Sequence, residues 1–230
     1  MRHILSAAAL LACATPALAQ HNHPPAQQQG GHSHGAGHSH GAGHSHEGGQ
    51  LPEGWKARPD RANSDMTKLH FMPMSGGYHA ITGPAALLYR PADQARGVYT
   101  VQARFNQRKA PTHPEAYGIF YGGRNLESGT QEYFYFLVRG DGKYAVKHRA
   151  GDEVHDIRDW TEHAAIRKQD RNGRASNLVS VGVNATAVTL IVNGTRVAQF
   201  PRTQMGATDG VYGLRINHNL DVLVDRLAKR

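Results

Sequence analysis

The stretch Glu132-Tyr-Phe-Tyr-Phe-Leu-Val-Arg-Gly-Asp-Gly-Lys-Tyr144 reads as two β-strands joined by a tight turn. Its aromatic and β-branched residues suit a pleated surface, and successive side chains point to opposite faces. Phe134, Phe136 and Val138 therefore share one face, predicted to be core, while Tyr133, Tyr135, Leu137 and Arg139 share the other. Gly-Asp-Gly supplies the positive φ angles that a hairpin turn requires. Val192-Asn-Gly-Thr195 repeats the device, and in the final run Leu220, Val222 and Val224 alternate with Asp221 and Asp225, as a sheet with one buried side demands.

Outward from these hairpins the same period-2 alternation recurs, with turn residues at intervals of roughly ten. It predicts strands at 68–74, 79–81, 85–89, 98–106, 117–121, 132–139, 143–149, 153–160, 177–183, 187–192, 196–200, 211–216 and 221–227, with 161–167 offering a single helical turn. Many short strands without amphipathic helices define an all-β class, an antiparallel two-sheet jelly-roll sandwich.

The 230 residues are two different objects joined end to end. Residues 1–19 have a basic start at Arg2, an apolar stretch from Ile4 to Ala14, and small residues at Ala17 and Ala19, the pattern of a secretory signal cleaved after Ala19. A lipoprotein box ending at Cys13 is the weaker alternative. Cleavage removes the only cysteine, so disulfides and thiol chemistry drop out together. The expected location is the periplasm or the extracellular space. No later apolar run is long enough to span a bilayer.

Residues 20–50 form a His/Gly-rich tract with Gly-His-Ser-His at Gly31–His34, Gly37–His40 and Gly43–His46. It has nothing larger than Ala to bury across that repeat and is expected to be disordered when free. His21, His23, His32, His34, His38, His40, His44 and His46 offer neutral imidazoles on a flexible chain, suited to capturing Zn²⁺, Ni²⁺ or Cu²⁺. The formal charge of +8 favours anionic partners. Nucleic acid is a poor fit, since the basic residues are scattered among the strands.

Residues 51–230 carry a family resemblance. Gly97-Val-Tyr-Thr-Val-Gln-Ala-Arg-Phe105, Tyr117-Gly-Ile-Phe-Tyr-Gly-Gly123, Tyr133–Arg139 with Gly142-Lys-Tyr144, Val188-Thr-Leu-Ile-Val-Asn-Gly194, and Gly213-Leu-Arg215 with Asp221-Val-Leu-Val-Asp225 follow one another in order. The series resembles the concanavalin A-like lectin/glucanase jelly roll. Within that superfamily it is most similar to the 3-keto-disaccharide hydrolase family, and more loosely to laminin G-like domains. The resemblance implies the sandwich and, by analogy, carbohydrate as ligand or substrate.

Catalysis has little support in the residues. Glucanases of this fold place Glu, Asp and Glu at alternate positions of one strand, and neither Glu-x-Asp-x-Glu nor Glu-x-Asp-x-x-Glu occurs. Glu153 and Asp156 fall on opposite faces of an extended chain. His155 with Asp156, and His218 with Asp221, read as polar surface rather than acid–base or metal pairs. A binding face asks for less: Tyr133, Tyr135 and Trp160 with Arg139, Arg149, Arg215 and Asn217 offer ring faces and directional donors on one concave sheet. Asn219, Asp221 and Asp225 are candidate oxygen ligands for a structural Ca²⁺. The leading expectation is an exported module binding carbohydrate or cell-envelope glycan, anionic rather than neutral, with a metal-capturing tract. A periplasmic glycoside hydrolase of the 3-keto-disaccharide type and a metal-buffering protein stand as alternatives.

Overall fold

The computed structural model describes residues 51–230. The signal sequence, Cys13 and the histidine tract lie outside the described residues. Fourteen strands follow in chain order: β1 (Lys56–Pro59), β2 (Leu69–Met74), β3 (Gly77–Thr82), β4 (Ala86–Ala95), β5 (Tyr99–Gln107), β6 (Ala116–Arg124), β7 (Glu132–Arg139), β8 (Lys143–Ala150), β9 (Glu153–Glu162), β10 (Ala175–Val183), β11 (Ala187–Val192), β12 (Thr195–Pro201), β13 (Gly210–Ile216) and β14 (Asp221–Lys229). All pairings are antiparallel, in two seven-stranded sheets ordered β1-β4-β13-β6-β7-β8-β9 and β12-β11-β10-β5-β14-β3-β2. No helix among the described residues is long and apolar enough to cross a membrane.

The hairpin assignments hold at atomic detail. At the β11–β12 turn Asn193 and Gly194 take φ of 52° and 85°, both in the left-handed region that type I′ turns need. Between β7 and β8, Gly142 takes φ of 88° and its N–H donates to the Arg139 carbonyl at 3.1 Å. Asn184 and Asn193, each within a glycosylation-type triplet, spend their side-chain oxygens on turn N–H groups of Thr186, Ala187 and Leu178.

The main core lies between the sheets, where Phe134, Phe136 and Val138 meet Phe105, Tyr117, Leu190, Val222 and Val224. Tyr117 stacks on Phe105 with ring centroids 5.1 Å apart, and burial pushes its phenol up to about 12. A second cluster, on the outer face of the first sheet, gathers Leu87, Tyr89, Phe120, Leu126, Tyr133, Tyr135 and Leu137.

Sequence reading and structure part at a few places. Strand β1 was not foreseen, because Lys-Ala-Arg-Pro shows no alternation and ends on a proline; its place at the sheet edge is where a strand proline is tolerated. Strand β4 runs past Tyr89 through Pro91 to Ala95, with a register shift against β13 that accommodates the proline. The single turn expected after β9 is present but starts later, closed by the Ile166 N–H donating to the His163 carbonyl at 3.0 Å, because β9 itself runs on to Glu162.

Candidate functional site

Cross-strand register lays the outer face of the first sheet out in rows. One row runs Arg58, Leu87, Arg215, Gly118, Leu137, Ala145. The next runs Lys56, Tyr89, Gly213, Phe120, Tyr135, Lys147, Asp156. Tyr133 with Arg149 opens a third. In the first two rows Asp156 is the acidic member, and it is engaged by the Lys147 ammonium.

Two glycines keep this face thin where the long side chains cross. A Cβ on Gly118 would stand 1.8 Å from the Phe136 carbonyl oxygen, and one on Gly213 2.5 Å from that of Leu88, so neither position admits a side chain. On the same face the Arg215 guanidinium stands 5.6 Å from the Tyr135 ring centroid. Both of its terminal nitrogens reach Asp60 at 2.6 Å, a bidentate pair, and Arg215 is only 6% exposed. Its Nε has no partner among the described residues. A second cation–ring pair stands nearby on the same face, Arg139 over Trp160 at 4.4 Å, with Arg139 also held by Asp141.

The structure thus brings Tyr133, Tyr135 and Arg215 together, and separately Arg139 and Trp160. Tyr133 and Tyr135 are 3% and 5% exposed, covered by neighbouring side chains rather than presented as open platforms. Burial raises both phenol pKa values, with the nearby Arg215 charge pulling the other way. Arg149 donates from Nε to the Gly151 carbonyl at 2.6 Å and points its guanidinium toward Asp152 at 3.4 Å. Asn217 serves largely through its backbone: its N–H donates to the Ala116 carbonyl at 3.0 Å and its carbonyl accepts from Thr82 at 2.5 Å, while its buried side-chain oxygen has no partner among the described residues.

On the opposite sheet, Asp221 meets His79 at 2.8 Å and Lys109 at 3.9 Å, and Asp225 accepts from the Asn106 amide at 2.8 Å. Asn219 sits in the preceding turn with φ of 56°. Neither His–Asp pair weighed in the sequence forms: His155 stacks on His148 with centroids 5.8 Å apart, and His218 reaches Glu115 instead of Asp221. Glu115 and His113 were not singled out from the sequence, because their partner is more than a hundred residues away.

No family model and no curated protein matches the chain. Its fold is nevertheless shared with solved structures. The carbohydrate-binding module CBM66 from Bacillus subtilis is similar with a TM-score of 0.56 at 8% identity, over 77% of this chain and 95% of that one. A Bacillus subtilis protein of unknown function with a galectin-like fold gives 0.52 at 9%, over 76% and 88%. The carbohydrate recognition domain of Emp46p gives 0.51 at 10%, over 74% and 85%. The architecture shared with these structures is an antiparallel two-sheet sandwich of the jelly-roll kind.

Proposed function

We propose that residues 51–230 form a carbohydrate-binding module whose ligand, an anionic glycan, lies across the outer face of the first sheet. The observation that carries this reading is the composition of its rows: Lys56, Arg58, Lys147, Arg149 and Arg215 among aromatic residues, with Asp156 as the acid of the first two rows. Guanidinium groups recognise carboxylates and phosphates through paired donors, and here Arg215, Lys147 and Arg149 already meet the carboxylates of Asp60, Asp156 and Asp152, whose place a ligand's acidic group would share or take. Because Tyr133 and Tyr135 lie beneath other side chains, the contacts come from guanidinium and ammonium groups and from Trp160. The CBM66, galectin-like and Emp46p folds lend this reading an analogy.

The test is retention of a uronate-containing oligosaccharide by the protein and by its Lys147→Ala/Arg149→Ala variant. The variant is expected to bind at least ~10-fold more weakly, a loss of about 1.4 kcal/mol, and the parent's affinity is expected to fall with added salt. Equal binding of a neutral glucan, or an unchanged affinity in the variant, would overturn the reading. The tract His21–His46 is proposed as a soft trap for Zn²⁺, Ni²⁺ or Cu²⁺ on an exported chain, and its contribution is the metal uptake lost when those histidines become asparagine.

A further inference from the structure

At one end of the first sheet, outside the face just described, three ligand-type side chains converge. The β6–β13 register pairs Tyr117 with Ile216, and the next residues outward are tied by the Asn217 N–H to the Ala116 carbonyl. One step further, Glu115 and His218 stand across from each other. His113 precedes Glu115 by two positions, and Pro114 between them biases His113 toward extended backbone, so both side chains share a side of the chain. The result is a triangle of three atoms: His113 Nε2 to Glu115 Oε1 at 2.9 Å, His218 Nε2 to the same oxygen at 3.0 Å, and the two Nε2 atoms 2.7 Å apart.

Hydrogen bonding alone does not satisfy this triangle. A neutral imidazole carries one N–H, so a bond between the two Nε2 atoms uses one as donor and the other as acceptor. The accepting nitrogen then turns its lone pair on the carboxylate, and if both nitrogens are protonated their N–H groups oppose each other. The carboxylate has no easy escape, since Glu115 is 5% exposed and its ion-pair partners among the described residues are these two imidazoles. A buried carboxylate without a fixed counter-charge is costly.

A cation between the three atoms accepts every lone pair at once. With ligands about 2.1 Å from the metal, neighbouring corners lie about 3.0 Å apart in an octahedron and about 3.4 Å apart in a tetrahedron. The observed edges of 2.7–3.0 Å fit one face of an octahedron. The far side of His113 is also prepared, with Nδ1 3.1 Å from the Thr112 hydroxyl, a contact that in the Nδ1–H tautomer leaves Nε2 free to ligate. The opposite strand end is braced by Thr82, whose hydroxyl donates to the Asn217 carbonyl and accepts from the Leu220 N–H. Beside the cluster, His113 and Glu115 line a cavity of about 250 Å³ shared with Arg139, Asp141 and Gln169, with room for water or an oxygen-donor ligand on the remaining corners.

We infer that His113, Glu115 and His218 form a binding site for a divalent first-row transition metal, with a two-histidine, one-carboxylate ligand set and open coordination positions. This site is separate from the histidine tract and stands whether or not the sheet face binds glycan.

The experiment uses the full chain with the tract histidines, His21 through His46, replaced by asparagine, so that binding by the folded domain is read alone. Titration with Co²⁺, followed by calorimetry and visible absorption, is expected to give one equivalent per chain with the weak bands of a six-coordinate ion. In the same background Glu115→Gln and His218→Asn are each expected to lose affinity at least ~10-fold, the lower end of what even an outer-shell partner costs, and to lose the metal-dependent rise in Tm. His218 is partly exposed, so its variant keeps the test open if Glu115→Gln does not fold. Absence of stoichiometric Co²⁺ binding, or equal binding by a correctly folded His218→Asn variant, would overturn the site.

Discussion

The two sheets expose very different outer faces. Along β5 burial alternates residue by residue, with Thr100, Gln102, Arg104 and Asn106 facing out and only part-buried. Along β6 every residue from Ala116 to Gly123 is buried, and β7 is covered on both sides from Tyr133 to Val138. Both strands follow the same period of two. The first sheet differs because its outward side chains are long and lie down on one another, with Leu126 joining the layer and Arg58 donating to the Leu126 carbonyl at 2.8 Å. One face is thus ordinary solvated sheet, and the other is a thin second core with a charged skin.

The comparison is broken most sharply by truncating rings. Phe136→Ala, in the main core, is expected to cost ~3–5 kcal/mol, and Tyr135→Ala, one residue away on the outer face, about 3 kcal/mol, because both leave cavities. Gln102→Ala, the outward position of β5, is expected to stay within ~0.5 kcal/mol. Urea unfolding of the three variants decides: a Tyr135→Ala change as small as that of Gln102→Ala would mean that the outer layer adds nothing to stability.

A smaller contrast comes from glycine. Gly118→Ala drives a Cβ into the Phe136 carbonyl and is expected to destabilise by ~1–3 kcal/mol. Gly182 lies on β10 of the other sheet, where a Cβ would meet nothing closer than the Thr100 hydroxyl at 3.6 Å. Gly182→Ala is expected to raise stability by ~0.4–1 kcal/mol through the unfolded chain. Thermal melts of both variants sharpen the difference in how closely the two sheets are packed.

The smallest effect tests the charged skin itself. Burial works to raise the Asp141 pKa, but the hydrogen bond and charge of Arg139 outweigh it and hold the carboxyl below its ordinary value. A lowered pKa contributes stability above the ordinary carboxylate range, and that contribution is lost as the pH falls through the lowered value. Asp141→Asn is therefore expected to lower stability slightly at pH ~7, by less than ~1 kcal/mol because the Asp141 carboxylate is 37% exposed, with the gap to the parent closing in acid. A gap that widens toward low pH would remove this ion pair from the account.

Much of this was legible in the chain. Alternation placed Phe134, Phe136 and Val138 inward and their neighbours outward, and Asn193-Gly194 announced its hairpin. Alternation reports which face a residue takes but not what covers that face, so Tyr133 and Tyr135 read as an open platform when they are a covered layer. The Arg215–Asp60 pair was hidden because Asp60 follows β1, a strand without alternation. The His113, Glu115 and His218 triangle was hidden because strand register, not spacing along the chain, brings its members together.

The sheet order also governs when the domain can exist. The last two strands occupy interior places, β13 between β4 and β6 and β14 between β3 and β5. Until both are delivered, each sheet is two fragments with bare edges facing one another, and four rows of backbone donors and acceptors have no mates. Completion then rests on pairings between distant parts of the chain, the slow class of folding event, on the order of milliseconds to seconds. A nascent or nicked chain lacking residues 210–230 is consequently no smaller domain but a set of sticky edges, and a chaperone or protease would find it at just that stage.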